Sequence, residues 1–174
     1  MMLVASRIAA ILLATTFVAA GAAKLIRYPR WRSALEGYRL AAAPRGAIAM
    51  GVPIVEVAVA LSLVFLSQAV GAALALVLLA LFSAAIARAA SRGGRRVPCG
   101  CFGGAGSRDY RLLLARNAVL SAAAAVVLLE GSDRPLSASI SGSDVVPVVL
   151  VTAGVGLIAI VVAQTVASLR GPAR

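Results

Sequence analysis

Long apolar stretches dominate the chain, and short polar stretches separate them. Five of the apolar stretches have about 18 to 25 residues, enough for an α-helix to cross roughly 30 Å of hydrocarbon. They run from Met1 to Ala23, Ala47 to Leu66, Ala69 to Ala87, Leu112 to Leu129 and Val145 to Leu169. The pattern therefore predicts an all-α, polytopic bundle of transmembrane helices.

The second connection and the first stretch of this pattern each have a specific implication. Only Ser67 and Gln68 separate the second and third stretches, so we expect a tight antiparallel helical hairpin there. The first stretch has one feature of a cleaved signal peptide, because small residues at 20–22 follow an apolar run. Its only early charge is Arg7 and the run is long for a signal core, which favours a retained membrane helix.

Composition excludes a soluble globular domain. Hydrophobic residues make up 61% of the sequence, charged residues make up 13%, and the mean hydropathy is +0.99. A soluble protein of 174 residues needs a larger polar shell than this. The lipid bilayer is therefore the expected surroundings of the chain.

The position of the cations predicts an orientation. A net charge of +11 would suit a nucleic-acid-binding protein, but all of the 17 Lys and Arg residues except Arg7, Arg116 and Arg134 lie in the first loop, the third loop or the C-terminal tail. With five helices, these segments share one side of the membrane. The positive-inside rule then places the third loop and the C-terminus in the cytoplasm and the N-terminus outside, with no role for nucleic acid.

A short amphipathic segment follows the first helix. Between Pro29 and Leu40, the side chains of Trp31, Leu35 and Tyr38 fall on one face at helical spacing. This predicts a helix lying at headgroup depth in the membrane interface. A solvated, positively charged loop that sets only the topology is the alternative interpretation.

The two cysteines of the chain, Cys99 and Cys101, lie in a basic loop at residues 92–108. A disulfide between them would close a very small ring, so we expect it to be strained and more oxidising than a structural bridge. Pro98 and Gly100 favour the required turn, and the arginines of the loop favour the reactive thiolate. The spacing and the charge therefore indicate a redox-active pair.

The absence of histidine narrows the other kinds of chemistry. It removes the usual haem ligation, His-containing zinc or copper sites and a Ser-His-Asp triad. Three alternatives to a redox pair stay open: inert reduced thiols, a zinc or copper(I) site formed by Cys99 and Cys101 of two protomers, and a non-catalytic assembly scaffold. No cofactor is required, and no residue pattern supports a bound quinone or a thiol-bound metal.

Glu56 is the second candidate for chemistry, because it lies near the middle of the second apolar stretch. Pro53, one turn before it, would free backbone groups inside the membrane. Lys24 or Arg116 could reach the carboxyl group from neighbouring helices. Glu56 is then a polar clamp between helices, a proton acceptor for thiol exchange or a group that faces a quinone. A transporter role has little polar lining to support it.

Asn117, next to Arg116, is a further polar residue at the start of the fourth helix. A hydrogen bond to the cysteine loop, a helix cap and a hydrogen bond between helices are equally consistent with its position.

Several short motifs occur in an order that resembles a known family. They are Gly21-Ala22-Ala23-Lys24-Leu25, Ala34-Leu35-Glu36-Gly37-Tyr38, Pro53-Ile54-Val55-Glu56, Pro98-Cys99-Gly100-Cys101-Phe102-Gly103-Gly104 and Arg116-Asn117. Together, from about Thr16 to Val126, they resemble the MauE branch of the MauE/DoxX group of redox-associated membrane proteins.

The resemblance implies four core helices, in residues 1–130. In residues 131–174 the composition and the last apolar stretch predict a flexible outer loop, rich in Ser and Gly, and a fifth membrane helix. The resemblance also implies a bacterial cytoplasmic membrane and a role in maturing exported proteins, specifically the disulfide-rich methylamine dehydrogenase β-subunit. The corresponding enzyme class is a thiol-disulfide oxidoreductase. Two cytoplasmic cysteines form no relay across the membrane. Either the cysteine loop folds back into the bundle and is reached from both faces, or a thioredoxin-like protein or another partner exchanges electrons with the pair; the uneven charge distribution favours a partner.

Overall fold

A computed structural model describes residues 2–36, 38, 45–93, 96–98, 107–130 and 133–139. The helices among these residues are α1 (Met2–Ile26), α2 (Tyr28–Glu36), α3 (Arg45–Leu61), α4 (Gln68–Gly93), α5 (Tyr110–Leu129) and α6 (Leu136–Ser139). A π-helical segment, Ser62–Leu66, continues α3, and the strands are β1 (Arg96–Pro98) and β2 (Ser107–Asp109). The predicted fifth membrane helix and both cysteines lie outside the described residues.

Four helical stretches are long and apolar enough to cross a membrane. They are Ala5–Ile26, Gly46–Leu66, Gln68–Arg92 and Tyr110–Leu129. They correspond to the first four predicted segments, so the prediction of a helical, membrane-spanning bundle is confirmed. Lipid-facing residues are apolar as well: on α4 the exposed Val70, Leu74, Val77 and Leu81 recur at helical spacing along one stripe.

The predicted helical hairpin between the second and third segments is present, and its turn is very short. Ser67 is the single non-helical residue between the π-helical segment and α4. Its N–H donates to the carbonyl oxygen of Ser62, five residues back, at 3.0 Å. The two helices meet immediately beyond the turn, where a Cβ on Gly71 would lie 2.7 Å from the backbone nitrogen of Leu63. Glycine is therefore needed there for steric reasons.

Replacing Gly71 with alanine should lower the free energy of unfolding by about 1–3 kcal/mol, because the added methyl group meets backbone that cannot rotate away. Gly51→Ala on α3 is the matched control, since no atom lies within 4 Å of its added Cβ. The control should be neutral or stabilising by up to about 1 kcal/mol. Denaturant unfolding in detergent micelles measures both values, and equal stability of the two variants would contradict the tight contact.

The amphipathic segment after α1 is helical, as predicted, but it ends earlier and its apolar face is covered by protein. Trp31 and Leu35 of α2 are buried in a cluster with Ala49 of α3. Tyr28, Ile48 and Val52 pack against this cluster. The expectation that this face anchors the bundle in the headgroup layer is therefore corrected: α3 covers it, and Arg30, Arg32 and Glu36 form the exposed face.

The two strands join α4 to α5 as a short antiparallel pair. Arg96 is opposite Asp109, Val97 opposite Arg108, and Pro98 opposite Ser107. Asp109 then begins α5, because its side chain accepts a hydrogen bond from the N–H of Arg111 at 2.9 Å. Since the four long helices alternate in direction, this strand pair lies at the same end of the bundle as the end of α1.

Candidate functional site

Close packing of α1 against α3 brings a cation and a carboxylate together inside the bundle. A Cβ on Gly21 would lie 2.9 Å from Cγ2 of Val57 and 3.0 Å from the carbonyl oxygen of Pro53, so the helices touch at this glycine. Lys24 is one turn further along α1. In antiparallel helices each side chain leans toward its own N-terminus, so the Lys24 and Glu56 side chains converge between α1 and α3.

The Lys24–Glu56 pair is buried and bidentate. Nζ of Lys24 donates to Oε1 of Glu56 at 2.5 Å and to Oε2 at 2.7 Å. Only 2% of Lys24 and 1% of Glu56 is exposed. An isolated charge at this depth would be very costly, and pairing with hydrogen bonds to both carboxylate oxygens offsets much of that cost.

Two aromatic rings also lie close to the ammonium group. The centroid of the Trp31 ring lies 5.3 Å from Nζ of Lys24, and that of the Phe82 ring lies 5.7 Å from it. Both distances are within the range of cation–π attraction. The ion pair therefore joins four elements: α1, α2, α3 and α4.

Pro53 explains why Trp31 is held at this position. In a regular helix the N–H of residue 53 would donate to the carbonyl oxygen of Ala49, four residues back, but proline has no N–H. The indole Nε1–H of Trp31 donates to that oxygen at 2.8 Å. One aromatic side chain thus satisfies the carbonyl that Pro53 leaves open and contacts the ammonium of Lys24.

A second set of polar contacts links α4 to α5. Nδ2 of Asn117, which is buried, donates to Oγ of Ser83 at 3.1 Å. Nη2 of Arg116 donates to Oδ1 of the same amide at 3.1 Å. Of the alternatives considered for Asn117, the structure shows the hydrogen bond between helices. Ser83 directly follows Phe82, so this set adjoins the ion pair along α4.

The predicted site residues thus fall into two groups. Lys24, Glu56, Arg116 and Asn117 lie in the membrane-spanning bundle, and Lys24 is the cation that the structure pairs with Glu56. Cys99, Gly100, Cys101, Phe102 and Gly103 lie outside the described residues, although Pro98 is part of β1. Within the described part of the chain, no group of three or more metal-ligating side chains occurs.

Sequence reasoning missed Phe82 and Ser83 as neighbours of these polar residues, and it placed Trp31 in a different environment. The sequence did contain a signal for Trp31: Pro53 leaves the Ala49 carbonyl without its helical donor. No comparable signal pointed to Phe82, which lies in an uninterrupted apolar stretch.

The site residues lie in a part of the chain that is similar to known proteins. The family model for methylamine utilisation protein MauE matches residues 2–130. The methylamine utilization protein MauE of Paracoccus denitrificans is 38% identical to the chain over 120 residues, which cover 67% of this chain and 64% of that relative. No solved structure matches. A match of this extent, on a four-span helical bundle, shows that the chain belongs to the MauE family of membrane proteins.

Proposed function

We propose that Cys99 and Cys101 form a redox pair through which this membrane protein supports the maturation of exported proteins. The observation that carries the proposal is the β1–β2 pair. Pro98, the residue before Cys99, is opposite Ser107. The segment with both cysteines therefore starts and ends at one point, at the end of the bundle where α1 and α4 end. Such an anchored segment suits a thiol pair that must be presented to another protein.

The proposed reaction is reversible thiol-disulfide exchange. A thiolate of a partner dithiol attacks one sulfur of the Cys99–Cys101 disulfide and forms a mixed disulfide. The second partner thiolate then attacks the mixed disulfide and releases the pair as two thiols. Two electrons and two protons pass to the pair, and the partner becomes the disulfide. The reverse sequence oxidises the pair at the expense of a partner disulfide, so no other oxidant is needed for one cycle.

The proposed partners follow from the charge distribution and from the relative. A thioredoxin-like dithiol protein is the expected donor if the third loop is cytoplasmic. The relative's name refers to methylamine utilization. We therefore expect the client to belong to that pathway, with the methylamine dehydrogenase β-subunit as the specific candidate. Glu56 is proposed as a polar or proton-accepting partner of this chemistry. Its contact with Lys24 favours the polar role over the proton-accepting role.

Replacing Cys99 with serine should abolish client maturation while the protein still inserts into the membrane. The measurement is the disulfide content of the exported client in cells that carry the variant as their only copy. Ser91→Ala, at an exposed position of α4, is the control and should retain full function. Full maturation with Cys99→Ser would show that maturation does not require the cysteine pair, which contradicts the proposal and favours a scaffold role.

A thiol-labelling experiment tests the redox state and the orientation together. Because the chain has only two cysteines, a mass-tagged maleimide adds two labels to the dithiol and none to the disulfide. A membrane-impermeant reagent should not label intact cells, and it should label both thiols after the cells are permeabilised and reduced. Strong labelling of intact cells would reverse the proposed orientation. Stoichiometric zinc or copper in purified protein would instead favour the shared metal site.

A further inference from the structure

We propose that the outer face of α3 and α4 is a binding site for one anionic phospholipid, with an acyl chain in a crevice between the helices and the phosphate on Arg88 and Arg92. This site shares no residue with the ion pair and does not include the cysteines. Three observations on the described residues carry it: an apolar crevice, an arginine pair on the same face, and the distance between them.

The crevice is entirely hydrophobic in its lining and opens outward, toward lipid. Its volume is about 160 Å³. Val55, Ala58 and Val59 of α3 line one side, and Leu74, Val77, Leu78 and Leu81 of α4 line the other. A water-filled or polar ligand site would need hydrogen-bonding groups in this wall, whereas an acyl chain needs none.

The same face of α4 continues into two arginines. At 100° per residue, Arg88 lies in line with the lipid-facing stripe of Val70, Leu74, Val77 and Leu81, and Arg92 lies one turn further. Both arginine side chains are exposed. The stripe that lipid tails contact therefore ends in a pair of guanidinium groups, which suit bidentate contacts with phosphate oxygens.

The spacing along α4 fits one phospholipid. Leu81 is seven residues from Arg88, or about 10 Å along the axis, and Leu74 is about 21 Å from it. An acyl chain that starts from a phosphate at Arg88 therefore runs through the hydrocarbon of one leaflet. The second half of the acyl chain reaches the crevice. The headgroup and the tail can occupy the two parts of the site at the same time.

The charge of this end of the bundle favours an anionic headgroup. Among the described residues, the exposed cations at this end are Arg27, Arg30, Arg32, Arg88, Arg92 and Arg111. Glu36 and Asp109 are the acidic residues described at this end, whereas the opposite end carries Arg7 and Arg134 with Glu130 and Asp133. Cytoplasmic-leaflet anionic lipids are attracted to such clusters. The only lysine of the chain, Lys24, is buried, so the described exposed cations are all arginines.

The test compares two double variants that remove the same charge. Full-length protein in nanodiscs of phosphatidylcholine is titrated with phosphatidylglycerol, and lipid retained on the protein is counted by native mass spectrometry. Arg88→Gln/Arg92→Gln should weaken phosphatidylglycerol binding about tenfold. Arg30→Gln/Arg32→Gln, on the exposed face of α2, should change it less than twofold. Equal losses in both would mean bulk charge attraction without a site, which overturns the proposal.

The crevice is tested by filling it. Ala58→Leu places a larger side chain in the crevice and should weaken retention of phosphatidylglycerol several-fold, whereas Val70→Leu, on the same stripe but outside the crevice, should leave it unchanged. Retention that is unaffected by Ala58→Leu overturns the acyl-chain part of the site. A mass corresponding to two chains without lipid that Ala58→Leu abolishes would show that a second copy occupies the crevice, and it would also overturn the proposal.

Discussion

Replacing Lys24 with methionine should destabilise the bundle by about 3–5 kcal/mol, because the Glu56 carboxylate would lose its ammonium partner while remaining buried. The lost contacts include two hydrogen bonds to the carboxylate oxygens and two cation–π contacts. Denaturant unfolding of the purified protein in micelles measures the change. Arg27→Met is the matched control: it removes an exposed cation three residues further on and should alter the free energy of unfolding by less than about 1 kcal/mol.

The double variant Lys24→Met/Glu56→Met distinguishes the cost of losing the ion pair from the cost of leaving one buried charge without its partner. Two apolar side chains of similar volume leave no buried charge, so most of the loss caused by Lys24→Met should be recovered. Equal destabilisation in the single and double variants would show that the carboxylate is not the source of the cost. If the double variant is stable but does not support client maturation, the ion pair has a role in the chemistry beyond joining helices.

Replacing Trp31 with alanine should cost about 3–5 kcal/mol, the usual range for removing a large buried aromatic side chain. Trp31→Phe is more informative, because it keeps a ring near Lys24 but removes the indole N–H. The carbonyl oxygen of Ala49 then loses the donor that replaces the missing N–H of Pro53. We expect a cost of about 1–3 kcal/mol for this variant.

A double-mutant cycle with Pro53→Ala tests the physical reason. Alanine restores an N–H at position 53, which can donate to Ala49 as in a regular helix. In the Pro53→Ala background, Trp31→Phe should therefore cost about 1 kcal/mol less than in the natural sequence. The same unfolding measurement applies. A cost that does not depend on residue 53 would mean that the indole hydrogen bond does not compensate for the proline.

The helices could be predicted from the sequence because span length and hydropathy are local properties of the chain. Glu56 also stood out, since a charge within an apolar stretch is visible without knowledge of its partner, and Lys24 was one of the two cations considered as that partner. The neighbours of the pair were harder to predict. In a membrane bundle the core-facing and lipid-facing sides of a helix are both apolar, so periodicity gives little information about which side contains Phe82.

The misplaced environment of Trp31 has a different physical origin. A tryptophan among arginines just after a membrane helix has the composition of an interfacial anchor. In the structure a hydrogen bond decides its position instead. The carbonyl oxygen of Ala49 on α3, 18 residues away in sequence, has no helical donor and accepts the indole N–H of Trp31. The end of α3 also differs from the prediction. A π-helical segment, Ser62–Leu66, follows α3, and nothing in the apolar run predicted it.

The buried position of Lys24 has a practical consequence. It is the only side-chain amine in the sequence, and acylating reagents modify an amine only when it is deprotonated and accessible. In the folded protein the ammonium is held by Glu56 and shielded by two rings. The rate at which an amine-reactive probe acylates this residue therefore measures how often the α1–α3 contact opens, without any engineered label.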